Sequence, residues 1–110
     1  MFNIALLGAG RIGQVHAANI ASHGATTLWS VVDPNQEFAT RLATQYQARQ
    51  QSLDEAMTDP NVHAVLIASA TDTHADLIEM AARHGKAIFC EKPVHLDLAR
   101  VRDCLKVVKE

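Results

Sequence analysis

The sequence predicts a doubly wound α/β fold, a parallel five-stranded sheet in the order 3-2-1-4-5 with helices on both faces. Three observations predict it. Short apolar runs alternate with helical patterns along the whole chain, each run is apolar at consecutive positions, and the breaks between them carry glycine, proline or capping residues. Strands that are apolar on successive residues are buried on both faces, which requires helices above and below the sheet.

The first strand is expected over Asn3 to Leu7, a compact run that stops at Gly8. A helix follows in which Ile12, Val15, Ala17, Ala18, Ile20 and Ala21 are apolar nearly all round, closing at His23-Gly24. Thr27 to Val32 is β-branched and apolar, a second strand. Asp33-Pro34 reads as the start of the next helix, with Asp33 as cap and Phe38, Ala39, Leu42, Ala43 and Tyr46 inward. A weak third strand is expected near Ala48, and Ser52-x-x-Glu55 is a capping box for a short helix that stops at Asp59-Pro60. Ala64 to Ala68 is the fourth strand. The helix after it is marked by His74, Leu77, Ile78, Ala81 and Ala82 and stops at Gly85; Thr73-x-x-Asp76 resembles a capping pair. Ala87 to Cys90 is the fifth strand, and Asp97 is placed to cap a last helix with Leu98, Val101, Leu105 and Val108 inward.

Composition narrows the function. The 110 residues are 48% hydrophobic and 20% charged, which fits one domain and is short for an enzyme with separate cofactor and substrate domains. A net charge of −2 lacks the basic footprint of nucleic-acid binding. No run of 18 apolar residues suggests a membrane span, and the N-terminus lacks a secretion leader, so a cytoplasmic location is expected. Cys90 and Cys104 form no CxxC and read as free thiols. No histidine spacing suggests a metal site.

In such sheets ligands bind beyond the carboxyl ends of the strands, and Gly8, Asp33, Ser69 and Glu91-Lys92 all fall there. Gly8-Ala9-Gly10-Arg11-Ile12-Gly13 is GxGxxG. Its context gives it weight: it follows a strand, opens a helix and precedes an acid twenty positions beyond Gly13. Gly8 permits the turn, Gly10 lets a pyrophosphate near the backbone, and Gly13 allows close helix–strand packing. The amides that open the helix then face the phosphates. Asp33 is expected to accept the adenosine ribose hydroxyls, which selects NAD over NADP; capping a helix explains the same aspartate. Arg11 can reach a phosphate or solvent, and His16 and Asn19 share the Ile12 face.

The stretches "GAGRIGQVHAANI", "TDTHADL" and "AIFCEKPVHLD" together resemble the glucose–fructose oxidoreductase/inositol dehydrogenase (Gfo/Idh/MocA) family, nearest to its inositol-oxidising members. The resemblance covers essentially the whole chain and corresponds to the family's N-terminal NAD-binding Rossmann domain. It implies that Lys92 of the Glu-Lys-Pro triplet is catalytic and handles the proton of a polyol or sugar hydroxyl while hydride passes to NAD⁺. A lysine at the sheet rim, partly desolvated, has the chemistry for this. Glu91 is implied to position Lys92 or touch the nicotinamide ribose, and Pro93 to fix the backbone. Ser69, Ala70, Thr71 and His74 match the family stretch that passes beside the cofactor. The family usually has proline where this chain has Ala70, and a packed histidine explains His74 equally well.

The family's sixth strand, its second domain and the Asp and His that partner the lysine have no counterpart among these 110 residues, so the isolated chain is expected to be inactive. An open edge on the fifth strand is expected either to lead to self-association or homo-oligomers or to be left unusually exposed. A non-catalytic NAD-binding sensor or scaffold module is the alternative. A methyltransferase fits less well, because Leu6-Leu7 stands where an acid would precede the glycines.

Overall fold

The computed structural model describes residues 2–69 and 73–90. Nine elements alternate in order: β1 (Phe2–Leu7), α1 (Arg11–Ser22), β2 (Thr26–Val32), α2 (Gln36–Gln45), β3 (Arg49–Gln50), α3 (Leu53–Thr58), β4 (Ala64–Ile67), α4 (His74–Arg83) and β5 (Ala87–Cys90). The strands form one parallel sheet in the order β3-β2-β1-β4-β5. The expected helix capped by Asp97 lies outside the described residues.

Alternation along β1 divides the core into two layers. Ile4 and Leu6 join Ala17 and Ile20 of α1 and Ala39, Leu42 and Ala43 of α2 on one face. Ala5 and Leu7 join Ala56 and Met57 of α3 and Ala75, Ile78 and Ala81 of α4 on the other. The central strand is thus covered twice, which is why its sequence has no polar alternation.

The β1–β2 ladder contains one irregularity. Ile4 pairs with Leu28 but Ala5 pairs with Ser30, so β2 carries an extra residue at Trp29. A bulge of this kind changes which face the following side chains occupy. Leu28 and Val31, three apart, lie in the α1/α2 layer, whereas Trp29 and Val32 pack with the α3/α4 layer.

Several local expectations are corrected. The cap of α2 is Asn35, whose Oδ1 accepts the Phe38 N–H at 3.1 Å; Asp33 precedes the helix by two residues and accepts the Asn35 N–H at 2.8 Å. An Asx turn therefore delivers the chain to a separate cap, since both residue types suit those roles. Phe38 is 44% exposed, and Ile12 and Val15 are more than half exposed, because α1 buries only Gly13, Ala17 and Ile20. Thr73 stands at the start of α4 without a side-chain cap bond. The capping box of α3 is complete, with Ser52 and Glu55 exchanging bonds at 3.1 and 2.8 Å.

Candidate cofactor-binding site

Gly8, the first loop residue, has φ +116°, and a Cβ there would lie 2.7 Å from the Ala68 backbone. Gly13 is constrained from the other side of the loop. A Cβ on it would lie 2.0 Å from the Gly8 carbonyl oxygen, so helix and strand meet at a distance no side chain allows. Gly10 differs from both. Its φ of −76° suits any residue, and among the described residues nothing beyond its chain neighbours lies within 4 Å of where its Cβ would be. The space beside it is therefore left by the loop rather than filled by it. No side chain caps α1, and its first turn holds no acid. An anion beside Gly10 would meet the positive end of the helix with no carboxylate from that turn.

Next to the loop, at the carboxyl ends of the strands, is a cleft of about 380 Å³. Leu7, Val32, Leu53 and Leu77 give it apolar walls, and Gly8, Asp33, Gln51, Ser52 and Ser69 give it polar groups. An apolar cleft with a few converging polar groups suits a flat heterocycle and its sugar. The Asp33 carboxylate is held on both sides: Oδ2 accepts the Ala9 N–H at 2.7 Å and Oδ1 accepts that of Asn35. A carboxylate has about four lone-pair sites, so two remain for other donors. The residues present fit a dinucleotide: open backbone for the phosphates, an acid for a ribose diol and apolar walls for a base.

The structure brings Gly8, Asp33 and Ser69 to one cleft. Ala9 is buried beneath the loop at 1% exposure, Gly10 opens α1, and Arg11 and Ile12 are exposed on its first turn. His74 is 2% exposed, and its Nε2 donates to the Ser69 carbonyl at 2.8 Å; the Ser69 and Thr73 hydroxyls share a bond of 2.7 Å. His74 thus supports the cleft wall from behind. Ala70, Thr71, Glu91 and Lys92 lie outside the described residues.

Sequence reasoning missed Gln51 and Leu53 as lining residues and saw Ser52 only as a cap. The signal was present: Gln51 follows the carboxyl end of β3, the same rim on which the other candidates were placed. Behind the cleft, the Gln51 side chain and the Trp29 indole both donate to Asp59 Oδ2, at 3.0 and 2.9 Å. Arg49 stacks on Trp29 at 3.5 Å from the ring centroid. The Asn61 backbone N–H, the Trp29 indole and the Gln51 amide, with Lys86 nearby, hold the Asp59 carboxyl below the usual carboxylate range; desolvation opposes them. Among the described residues no cluster of three or more His, Cys, Asp or Glu could hold a metal, and no helix is long and apolar enough to cross a membrane.

Comparison with known proteins agrees with this geometry. Residues 2–110 match the model of an oxidoreductase family with an NAD-binding Rossmann fold. The chain is 49% identical over 105 residues to inositol 2-dehydrogenase of Rhizobium meliloti (strain 1021), covering 96% of this chain and 32% of that protein. The fold superposes on a myo-inositol dehydrogenase from Corynebacterium glutamicum ATCC 13032 with a TM-score of 0.92 at 42% identity, covering 99% of this chain and 33% of that one. It superposes on scyllo-inositol dehydrogenase from Lactobacillus casei, solved with NAD(H) and scyllo-inositol, with a TM-score of 0.93 at 26% identity and the same coverage. The chain spans about a third of the length of these relatives.

Proposed function

This chain belongs to the Gfo/Idh/MocA oxidoreductase family, and on that premise we propose that it is the NAD-binding part of a dehydrogenase that oxidises a ring hydroxyl of an inositol-like polyol. The observation that carries the proposal is the pairing of an unfilled Gly10 with Asp33 on one rim. It supports phosphates against the start of α1 and the adenosine ribose against the acid. The relatives' inositol substrates support the polyol class.

Bound NAD⁺ supplies the hydride acceptor. The work of the chain is to bind and orient it: α1 faces the phosphates, Asp33 accepts from the ribose, and the leucines of the cleft exclude water from the base. Asp33 also selects against a 2′-phosphate. A unit charge within about 4 Å of it is disfavoured by roughly 4 kcal/mol at an effective dielectric near 20. Lys92, outside the described residues, is assigned by family resemblance to hold the substrate hydroxyl and take or share its proton. An ammonium there stabilises a developing alkoxide even when it keeps its own proton.

Titration with NADH and NADPH, followed by Trp29 emission, tests the cofactor reading. Trp29 reports on the cleft through Asp59 and Gln51. NADH is expected to bind at least about tenfold more tightly than NADPH; equal or reversed affinities would refute the ribose role of Asp33. Reduction of NAD⁺ by myo-inositol, measured on the longest form of the protein, tests the substrate class. Lys92→Ala is expected to abolish that turnover.

A further inference from the structure

We propose that Asp33 is also a positioning residue for the phosphate-binding loop, its carboxylate tethering Ala9 so that the loop is shaped before any ligand arrives. The proposal rests on the dinucleotide reading of the site and assigns the aspartate a second task within it.

Two consecutive loop amides are bound to the end of β2. The Gly8 N–H donates to the Val32 carbonyl at 2.8 Å, the next backbone bond after the last paired residues, Leu7 and Val32. The Ala9 N–H then donates to Asp33 Oδ2 at 2.7 Å. The side chain thus extends the ladder by one rung after the backbone has diverged. Such a bond to a charged acceptor is shorter and stronger than a neutral one. Ala9 is buried in the α1/α2 layer, so its amide needs a partner within the protein.

Bulging Trp29 out of the ladder keeps the register that makes this bond possible. Beyond Trp29 the strand faces exchange, so Val31 rather than Val32 lies in the α1/α2 layer. Asp33, two residues after Val31, continues on the side where Ala9 lies. If Trp29 were paired in regular register instead of bulged, the same sequence would carry Asp33 to the α3/α4 side. The loop's shape and the ribose acceptor are therefore fixed by one carboxylate.

Charge alone predicts the opposite effect on phosphates. Removing a carboxylate near an anion site relieves repulsion and should tighten anion binding. Loss of a tether should weaken it. Inorganic pyrophosphate has no ribose, so calorimetric titration with it isolates the loop. Asp33→Ala is expected to weaken pyrophosphate binding about tenfold, as loss of one charge-assisted bond implies. Asp33→Asn keeps an acceptor for Ala9 and is expected to bind pyrophosphate at least as tightly as the wild type. Unchanged or tighter binding by Asp33→Ala overturns the proposal.

Amide hydrogen exchange in the ligand-free wild type is a second readout that needs no variant. The Ala9 amide is expected to be protected; exchange at the rate of an open loop overturns the tether even if Asp33→Ala does not fold. Wild-type protein that binds pyrophosphate but neither nicotinamide nucleotide would remove the cofactor reading and leave the tether standing. NADH binding combined with an Asp33→Ala variant that holds pyrophosphate normally would remove the tether alone.

Discussion

At Gly10 and Gly13 an added methyl group has different consequences. At Gly13 it would fall 2.0 Å from a carbonyl oxygen, so α1 would have to lift from the sheet. Gly13→Ala is expected to destabilise the fold by roughly 3 kcal/mol or more, read by urea unfolding. At Gly10 it would enter open space. Gly10→Ala is expected to keep stability within about 1 kcal/mol of wild type while weakening NADH binding at least about tenfold, read by melting and titration together. The motif named both glycines from the sequence because spacing is visible there. What remained hidden was which of two adequate caps α2 would use. Asp33 and Asn35 both suit an N-cap, and the choice depends on Ala9 claiming the aspartate through the tertiary fold.

Helix ends show the same limit in another form. α4 closes with Gly85 at φ +71°, where the Gly85 N–H bonds to Ala82 and the Lys86 N–H to Ala81. This is a Schellman closure, and the glycine announced it. α2 closes the same way with Gln47 at φ +57°, its own N–H on Thr44 and that of Ala48 on Ala43. Gln47 gave no such signal. A side chain in the left-handed region is strained, so Gln47→Gly is expected to stabilise the protein by about 0.5–1 kcal/mol, seen as a shift in the urea midpoint. Periodicity found the helices but not always the buried side. α1 is apolar nearly all round, so the pattern could not show that Ile12 and Val15 face outward. On α2 the expected inward residue that is exposed is Phe38, at the edge of an otherwise correct stripe.

Over the whole molecule, strand order and layering were legible because consecutive apolar residues and right-handed crossovers admit few alternatives. Less legible was the knot behind the cleft. Asp59 gathers Trp29 of β2 and Gln51 from the end of β3, while Lys86, just before β5, donates to the Asp59 and Val62 carbonyls at 2.7 Å each. Its carboxyl is held low in the folded state, so its contribution to stability is complete above the unfolded value of about 3.9 and is lost as pH falls through the lower folded value. Between about pH 5 and about pH 3 the wild type is expected to lose more unfolding free energy than Asp59→Asn. Equal losses in parallel urea titrations would count against this coupling. The extra residue at Trp29 has a further consequence for how the protein can change in length. Removing the bulged residue would straighten the ladder while leaving Val31 opposite Leu6 and Val32 opposite Leu7, so the rim's acid would still face the loop. Length changes in β2 are thus not equivalent: the ladder takes up the loss of the bulged residue, whereas a further single loss has no slack left and must shift the register that aims the acid.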